Sequence, residues 1–169
     1  MDKLELIKRN TEEILTEEEL KKLLKEKKPV VYHGFEPSGK GIHIGYLIGI
    51  NKLIDFQKAG FNVTILLADL HAWLNEKGNL EDIKKTAKIY DKSFRACGLK
   101  ADKIVLGSDF QLEKDYIKDM MKMALIVTLK RSRRAMTMIG REEENPHVAQ
   151  LLYPIMQTLD IKYLKADVA

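Results

Sequence analysis

The sequence predicts an α/β fold: a parallel β-sheet with helices packed on its faces. Three observations carry this. Short apolar runs at residues 29–34, 61–68 and 103–107 read as strands. Helical patterns at 43–59 and 80–97 separate those runs. The second run is nearly all apolar toward its end, as expected of a strand covered on both faces. Strand–helix–strand–helix–strand with right-handed crossovers is the signature of a Rossmann-type sheet.

Residues 3–27 read as two short helices before the first strand. Thr16 opens the second, with Glu19 three residues on as a capping box. Glu17, Glu18 and Glu19 precede Lys21 and Lys22, which suits the helix dipole. Residues 35–42 are turn material, with Pro37, Gly39 and Gly41. The helix over 43–59 carries Ile44, Leu47, Ile48, Leu53, Ile54 and Phe56, and Gly60 stops it. Gly98 ends the helix over 80–97. From 112 the pattern is helical to 165, broken near 140–146 by Gly140 and Asn145-Pro146.

The chain of 169 residues suits one domain with a single core. Apolar residues make up 45% and charged residues 32%, a soluble, globular balance. No apolar run approaches the roughly 20 residues of a membrane span, and the charged N-terminus is unlike a secretory signal. Cys97 stands alone, so no internal disulfide forms and a reducing cytoplasm is expected. With four scattered His, a structural zinc site has almost no support, and no tightly bound metal is expected. The net charge of +4 permits a nucleic-acid partner without requiring one.

Three segments carry chemistry. Residues 32–46 join the first strand to the next helix, where open parallel sheets bind ligands. A glycine-rich turn admits close backbone approach, and the helix N-terminus attracts anions. Glycine spacing alone does not separate such a site from an ordinary βα loop. Residues 67–75 follow the second strand and include His71, a position more often structural than catalytic. Tyr153, Gln157 and Asp160 lie at i, i+4 and i+7, so they share one face of a largely apolar helix. From spacing alone a solvated stripe is the simpler reading; if buried, these groups need partners.

His43-Ile44-Gly45 followed by an aromatic resembles the class I aminoacyl-tRNA synthetase signature. The flanking residues 34–40 resemble those of archaeal and eukaryotic tyrosyl and tryptophanyl enzymes. The 67–75 segment and residues 153–160 are similar to tyrosyl-tRNA synthetases of that type, and the resemblance runs over the whole chain. It departs at the fourth signature position, where Tyr46 replaces a second histidine, and Gly41 looks like an extra loop residue.

The resemblance implies the activation of tyrosine by ATP with Mg2+, then transfer to tRNA(Tyr). It implies a tyrosine site formed by Tyr32, Gly34, Glu36, Leu66, His71, Tyr153, Gln157 and Asp160. Tyr153 and Gln157 would take the α-amino group, and Asp160 with Tyr32 the phenol. A pocket built to pair a hydroxyl rejects the analogue lacking it; tyrosyl-tRNA synthetase is itself the known example, at about 10⁵ against phenylalanine. ATP would be held by Gly39, His43, Gly45 and Tyr46, with His43 and Lys40 acting catalytically.

Lys130-Arg131-Ser132-Arg133-Arg134 is the densest basic cluster, and a basic helix face is most often solvated surface. The resemblance places it in an insertion that makes a homodimer and faces the tRNA acceptor stem, with Arg131 and Arg134 as contacts. The implied organisation is one domain: N-terminal helices 1–28, a Rossmann half 29–111, a helical insertion 112–150 and a pocket helix 151–169. Full-length relatives continue well beyond residue 169, so a shortened form with weak or no aminoacylation alone is expected. Alternatives are a non-catalytic tyrosine- or ATP-binding or dimerising fragment, and a tryptophan-specific relative.

Overall fold

The computed structural model describes residues 2–26, 28–138 and 145–169. Strands β1 (Val30–Phe35), β2 (Asn62–Leu67) and β3 (Lys103–Leu106) form one parallel sheet in the order β1-β2-β3. Tyr32 pairs with Thr64 and Gly34 with Leu66, and Leu66 pairs with Val105. Residues 167–168 run parallel along the free edge of β1, where the Tyr32 N–H donates to the Val168 carbonyl at 2.8 Å.

Side chains alternate across a strand, so each strand serves two faces. Val31, Phe35, Val63, Ile65 and Leu67 point to one face. There they pack with Ile50, Leu53 and Phe56 of α3 (Tyr46–Ala59) and Tyr90 and Phe94 of α5 (Leu80–Ala96). Tyr32, Leu66 and Ala68 point to the other face. Beyond them Leu70 of α4 (Asp69–Leu74), Tyr116 of α6 (Lys114–Ile126) and Ile155, Met156 and Leu159 of α8 (Val148–Tyr163) form a second apolar cluster. Each such buried side chain contributes about 1.5–3 kcal/mol.

The N-terminal helices α1 (Lys3–Lys8) and α2 (Glu17–Leu23) lie outside the sheet. Arg9 clamps the buried Asp55 carboxylate with two nitrogens at 2.6 and 2.8 Å, tying the end of α1 to α3. Lys52 Nζ adds bonds to the carbonyls of Ile7 and Arg9.

The structure departs from the sequence expectations in four places. Thr16 is the N-cap residue of α2, but its hydroxyl donates to the Glu19 carboxylate at 2.5 Å and caps no backbone N–H. The helix after β1 begins at Tyr46, because His43–Gly45 form a turn in which the Gly45 N–H binds the His43 ring. The short helix α4 is too brief to show a period. The helical run from 112 divides at extended Val127, and Thr128 starts α7 (Leu129–Met138) by accepting the Arg131 N–H at 3.3 Å. The break at Gly140 lies outside the described residues; Asn145-Pro146 is non-helical and precedes α8.

Gly60 ends α3 with φ +102°, a conformation costly for a side chain. Gly60→Ala is expected to lower stability by about 1–2 kcal/mol, read from the urea unfolding midpoint.

Candidate active site

Where β1 and β2 end, their even-numbered face meets α8 across a cavity of about 520 Å³. Its lining includes Tyr32, Gly34, Glu36, Leu66, His71, Tyr153, Gln157 and Asp160. Strand parity explains three of these eight: Tyr32 and Gly34 on β1 and Leu66 on β2 share one face, while Glu36 follows β1 and His71 comes from α4. Helical spacing explains three more, since Tyr153, Gln157 and Asp160 lie on one side of α8. Gly34 places no side chain on the cavity floor, and a Cβ there would be in ordinary contact with the Tyr32 hydroxyl oxygen at 3.5 Å. The size suits a ligand of amino-acid dimensions.

Asp160 has no solvent exposure. A charge so placed must be paired or hydrogen-bonded. Its Oδ1 accepts from Gln111 Nε2 at 2.7 Å and from the Tyr116 hydroxyl at 2.9 Å. Its Oδ2 has no hydrogen-bond partner among the described residues and lies 3.6 Å from His71 Nε2. Burial pushes Asp160 up to about 6, against the pull of the bonds from Gln111 and Tyr116. The group is thus charged at neutral pH with one oxygen uncommitted. Burial, and then the Asp160 charge, hold the Tyr32 phenol well above its ordinary value, so it stays a donor. An anionic acceptor and a neutral phenol donor lining one cavity are the requirements for gripping a hydroxyl that both gives and receives.

At the other end of the cavity, Glu36 Oε1 accepts from the Tyr153 hydroxyl at 2.6 Å and from Asn75 Nδ2 at 2.9 Å. The His71 ring stands edge-on to Tyr153 with centroids 4.6 Å apart. Pro154 interrupts the α8 ladder beside the cavity, since it cannot donate to the Gln150 carbonyl. Ser132 of α7 donates to the neighbouring Leu151 carbonyl at 2.6 Å.

The residues that the resemblance assigns to ATP form a second, largely exposed feature, reached along the chain directly after Glu36. Gly39, with φ +64°, and exposed Lys40 form the turn, and His43 is exposed beyond it. His43 Nδ1 accepts the Gly45 N–H at 3.2 Å, so the neutral ring carries its proton on Nε2. A Cβ at Gly45 would lie 2.9 Å from His43 Cε1, so glycine is what admits this ring position. Tyr46 is half-buried and its ring packs 4.6 Å from that of His43. None of these five residues lines the cavity.

Arg131 and Arg134 are exposed on α7, away from the cavity lining. Sequence reasoning passed over Gln111, Tyr116 and Asn75. Their contacts to Asp160 and Glu36 span 49, 44 and 39 residues, and no local pattern announces such a pairing. Among the described residues no group of three or more metal-ligating side chains gathers, and no helix is long and apolar enough to cross a membrane.

Comparison with known proteins agrees with this architecture. The family described as tRNA synthetases class I (W and Y) matches residues 24–169. A tyrosine–tRNA ligase of Methanocaldococcus jannaschii is 57% identical over 169 residues, covering 100% of this chain and 55% of the relative. A crystal structure of tyrosyl-tRNA synthetase complexed with L-tyrosine from Archaeoglobus fulgidus superposes with TM-score 0.93 at 50% identity, covering 99% of this chain and 54% of that one. Tryptophanyl-tRNA synthetase from Aeropyrum pernix superposes less well, with TM-score 0.67 at 26% identity over 86% of this chain and 38% of that one. The chain spans about half the length of the curated relatives it matches. With the family pattern running through both the cavity and the His43 turn, the chain belongs to the class I tRNA synthetases of the W and Y family.

Proposed function

We propose that this chain supplies the tyrosine- and ATP-binding half of a cytoplasmic tyrosine–tRNA ligase. The observation that carries the reading is the meeting of Asp160 and Tyr32 in one cavity, with Glu36 and Tyr153 at its far end. Asp160 Oδ2 accepts the substrate phenol proton while the Tyr32 hydroxyl donates to the phenol oxygen. Glu36, Tyr153 and Gln157 receive the α-ammonium group, and Leu66, Gly34 and His71 enclose the ring.

ATP lies over the turn from Gly39 to Tyr46. His43 Nε2–H donates to a phosphate oxygen, Lys40 adds charge, and the bare backbone at Gly45 admits the adenine. The tyrosine carboxylate then attacks the α-phosphorus, a bond forms to the carboxylate oxygen, and pyrophosphate leaves. The side chains orient the reactants and stabilise developing charge, and no protein nucleophile takes part. Mg2+ arrives with the ATP phosphates as part of the substrate.

The 112–150 segment is read as the insertion for dimerisation and the tRNA acceptor stem. Its α6 helix turns Met121, Leu125 and Ile126 to solvent, with Leu125 88% exposed. An unpaired apolar face of this kind suits a second copy of the same chain. Arg131 and Arg134, one turn of α7 beyond it, suit phosphate contact along the acceptor stem.

Calorimetry with tyrosine and phenylalanine tests the pocket. Tyrosine is expected to bind and phenylalanine not, and Asp160→Asn should abolish the preference. Comparable affinity for both amino acids would sink the reading. The pH dependence has a definite sign. The raised Asp160 value means that the native state holds a proton from about pH 3.8 to about 6 that the unfolded chain has released. This carboxyl therefore stabilises the fold below that window, and the contribution is lost as pH rises through about 6. Tyrosine binding runs the other way, weakening roughly tenfold per pH unit below the midpoint as the anion disappears. Tyr116→Phe removes a bond that lowers Asp160, so the midpoint of the tyrosine-binding profile should move upward.

For the insertion, Leu125→Asp should give a monomer by sedimentation equilibrium with tyrosine affinity intact. A dimer that survives that charge would exclude the α6 face as the contact.

A further inference from the structure

The signature turn of this chain carries Tyr46 where a second histidine is usual, and the structure indicates what that tyrosine is tied to. Tyr90, on α5, has no solvent exposure, and its ring belongs to the apolar core beside Phe94. Its hydroxyl lies 2.8 Å from the Tyr46 hydroxyl, 3.0 Å from the Ser38 carbonyl oxygen and 3.3 Å from the Ser38 amide nitrogen. One proton assignment satisfies all three contacts. Tyr90 donates to the Ser38 carbonyl and accepts from both the Tyr46 hydroxyl and the Ser38 N–H. The Tyr46 phenol is held at about 12, first by burial and then by its bond to Tyr90, so it keeps the proton this arrangement requires.

The same side of α5 touches the turn twice more. Thr86 donates to the Gly39 carbonyl at 3.4 Å, and Ile89 lies 3.9 Å from a Cβ position at Gly41. Residues 86, 89 and 90 share one helix face, so the contacts form a single cradle. Ser38 and Tyr46 stand on opposite sides of the His43 turn, and both meet one buried oxygen. The His43 ring rests on the Tyr46 ring with centroids 4.6 Å apart, so its position follows that of Tyr46.

We propose that Tyr90 is a positioning residue for the nucleotide: its hydroxyl holds the 38–41 loop in register with the start of α3, and through Tyr46 it sets the His43 imidazole. The proposal rests on the ATP reading given above. A hydroxyl in the core with three contacts to the signature turn has no such use in a purely apolar packing position, where phenylalanine would fill the same space without a polar atom to satisfy.

The test is Tyr90→Phe, which keeps the ring and removes one oxygen. Amide exchange without nucleotide and calorimetry with Mg-ATP and with tyrosine are the readouts. Ser38 exchange is expected to accelerate about tenfold while amides of β2 do not change. Mg-ATP affinity should fall about tenfold, and tyrosine affinity should stay within about twofold of the parent chain. Tyr46→Phe removes the same link from the less buried side and should give the same nucleotide-selective loss, with the double variant no worse than either single one. If Tyr90→Phe does not fold, nucleotide-free Ser38 exchange in Tyr46→Phe decides the matter: faster exchange supports the link through Tyr90, and unchanged exchange overturns it. Unchanged Mg-ATP affinity in a parent chain that binds Mg-ATP overturns the proposal alone, as does an equal loss for tyrosine and nucleotide. A parent chain that takes up tyrosine but not Mg-ATP overturns the nucleotide reading and this proposal together.

Discussion

A carboxylate withdrawn from water at Asp160 governs the arrangement around the cavity. Removing a carboxylate from solvent costs several kcal/mol unless other groups replace the lost hydration. Gln111 and Tyr116 do so at Oδ1 and leave Oδ2 toward the cavity. Meeting that demand draws α8, α6 and the turn after β3 to one point, with His71 of α4 beside them. The apolar cluster of Leu70, Tyr116, Ile155, Met156 and Leu159 packs around the same point and keeps it dry. Function and stability compete here, because the carboxyl is easiest to bury when protonated and most useful as an acceptor when charged. The two hydrogen bonds keep the balance on the charged side at neutral pH.

The sheet distributes roles by parity. Val31, Phe35, Val63, Ile65 and Leu67 enter the core under α3 and α5, while Tyr32, Gly34 and Leu66 face the cavity, which His33 also borders. Thus one sheet carries the core on one face and the cavity on the other. The turn that carries Gly39, Lys40 and His43 then follows Glu36 without a break. The cavity residues of β1 and the turn that carries His43 are thus consecutive in the chain. The helix on the far side of the sheet also takes part, since Tyr90 of α5 is both a core residue and the anchor of that turn.

Much of this was legible before any coordinates. Apolar runs and glycine stops marked the three strands and the long helices, and the apolar end of β2 marked a strand covered on both faces. The eight residues of the tyrosine set, assigned by resemblance, line one cavity. Local competition hid other features. Val127 and Thr128 divide a helical pattern because the Thr128 hydroxyl offers an N-cap, and Thr16 spends its hydroxyl on Glu19. Asn75 lay in plain view inside a recognised segment, but its partner Glu36 is far away in sequence.

The sequence by itself determined the order of elements, the parallel sheet and the family, since periodicity, turn chemistry and the His43-Ile44-Gly45 signature are local properties of the chain. Tertiary structure alone decided which oxygen of Asp160 remains uncommitted, which residues sustain its charge and what Tyr46 is tied to. Those outcomes depend on the shared burial of Gln111, Tyr116 and Tyr90 with partners at least 44 residues away. A hydrogen bond between distant residues leaves no period in the chain, and burial exists only once the elements have packed.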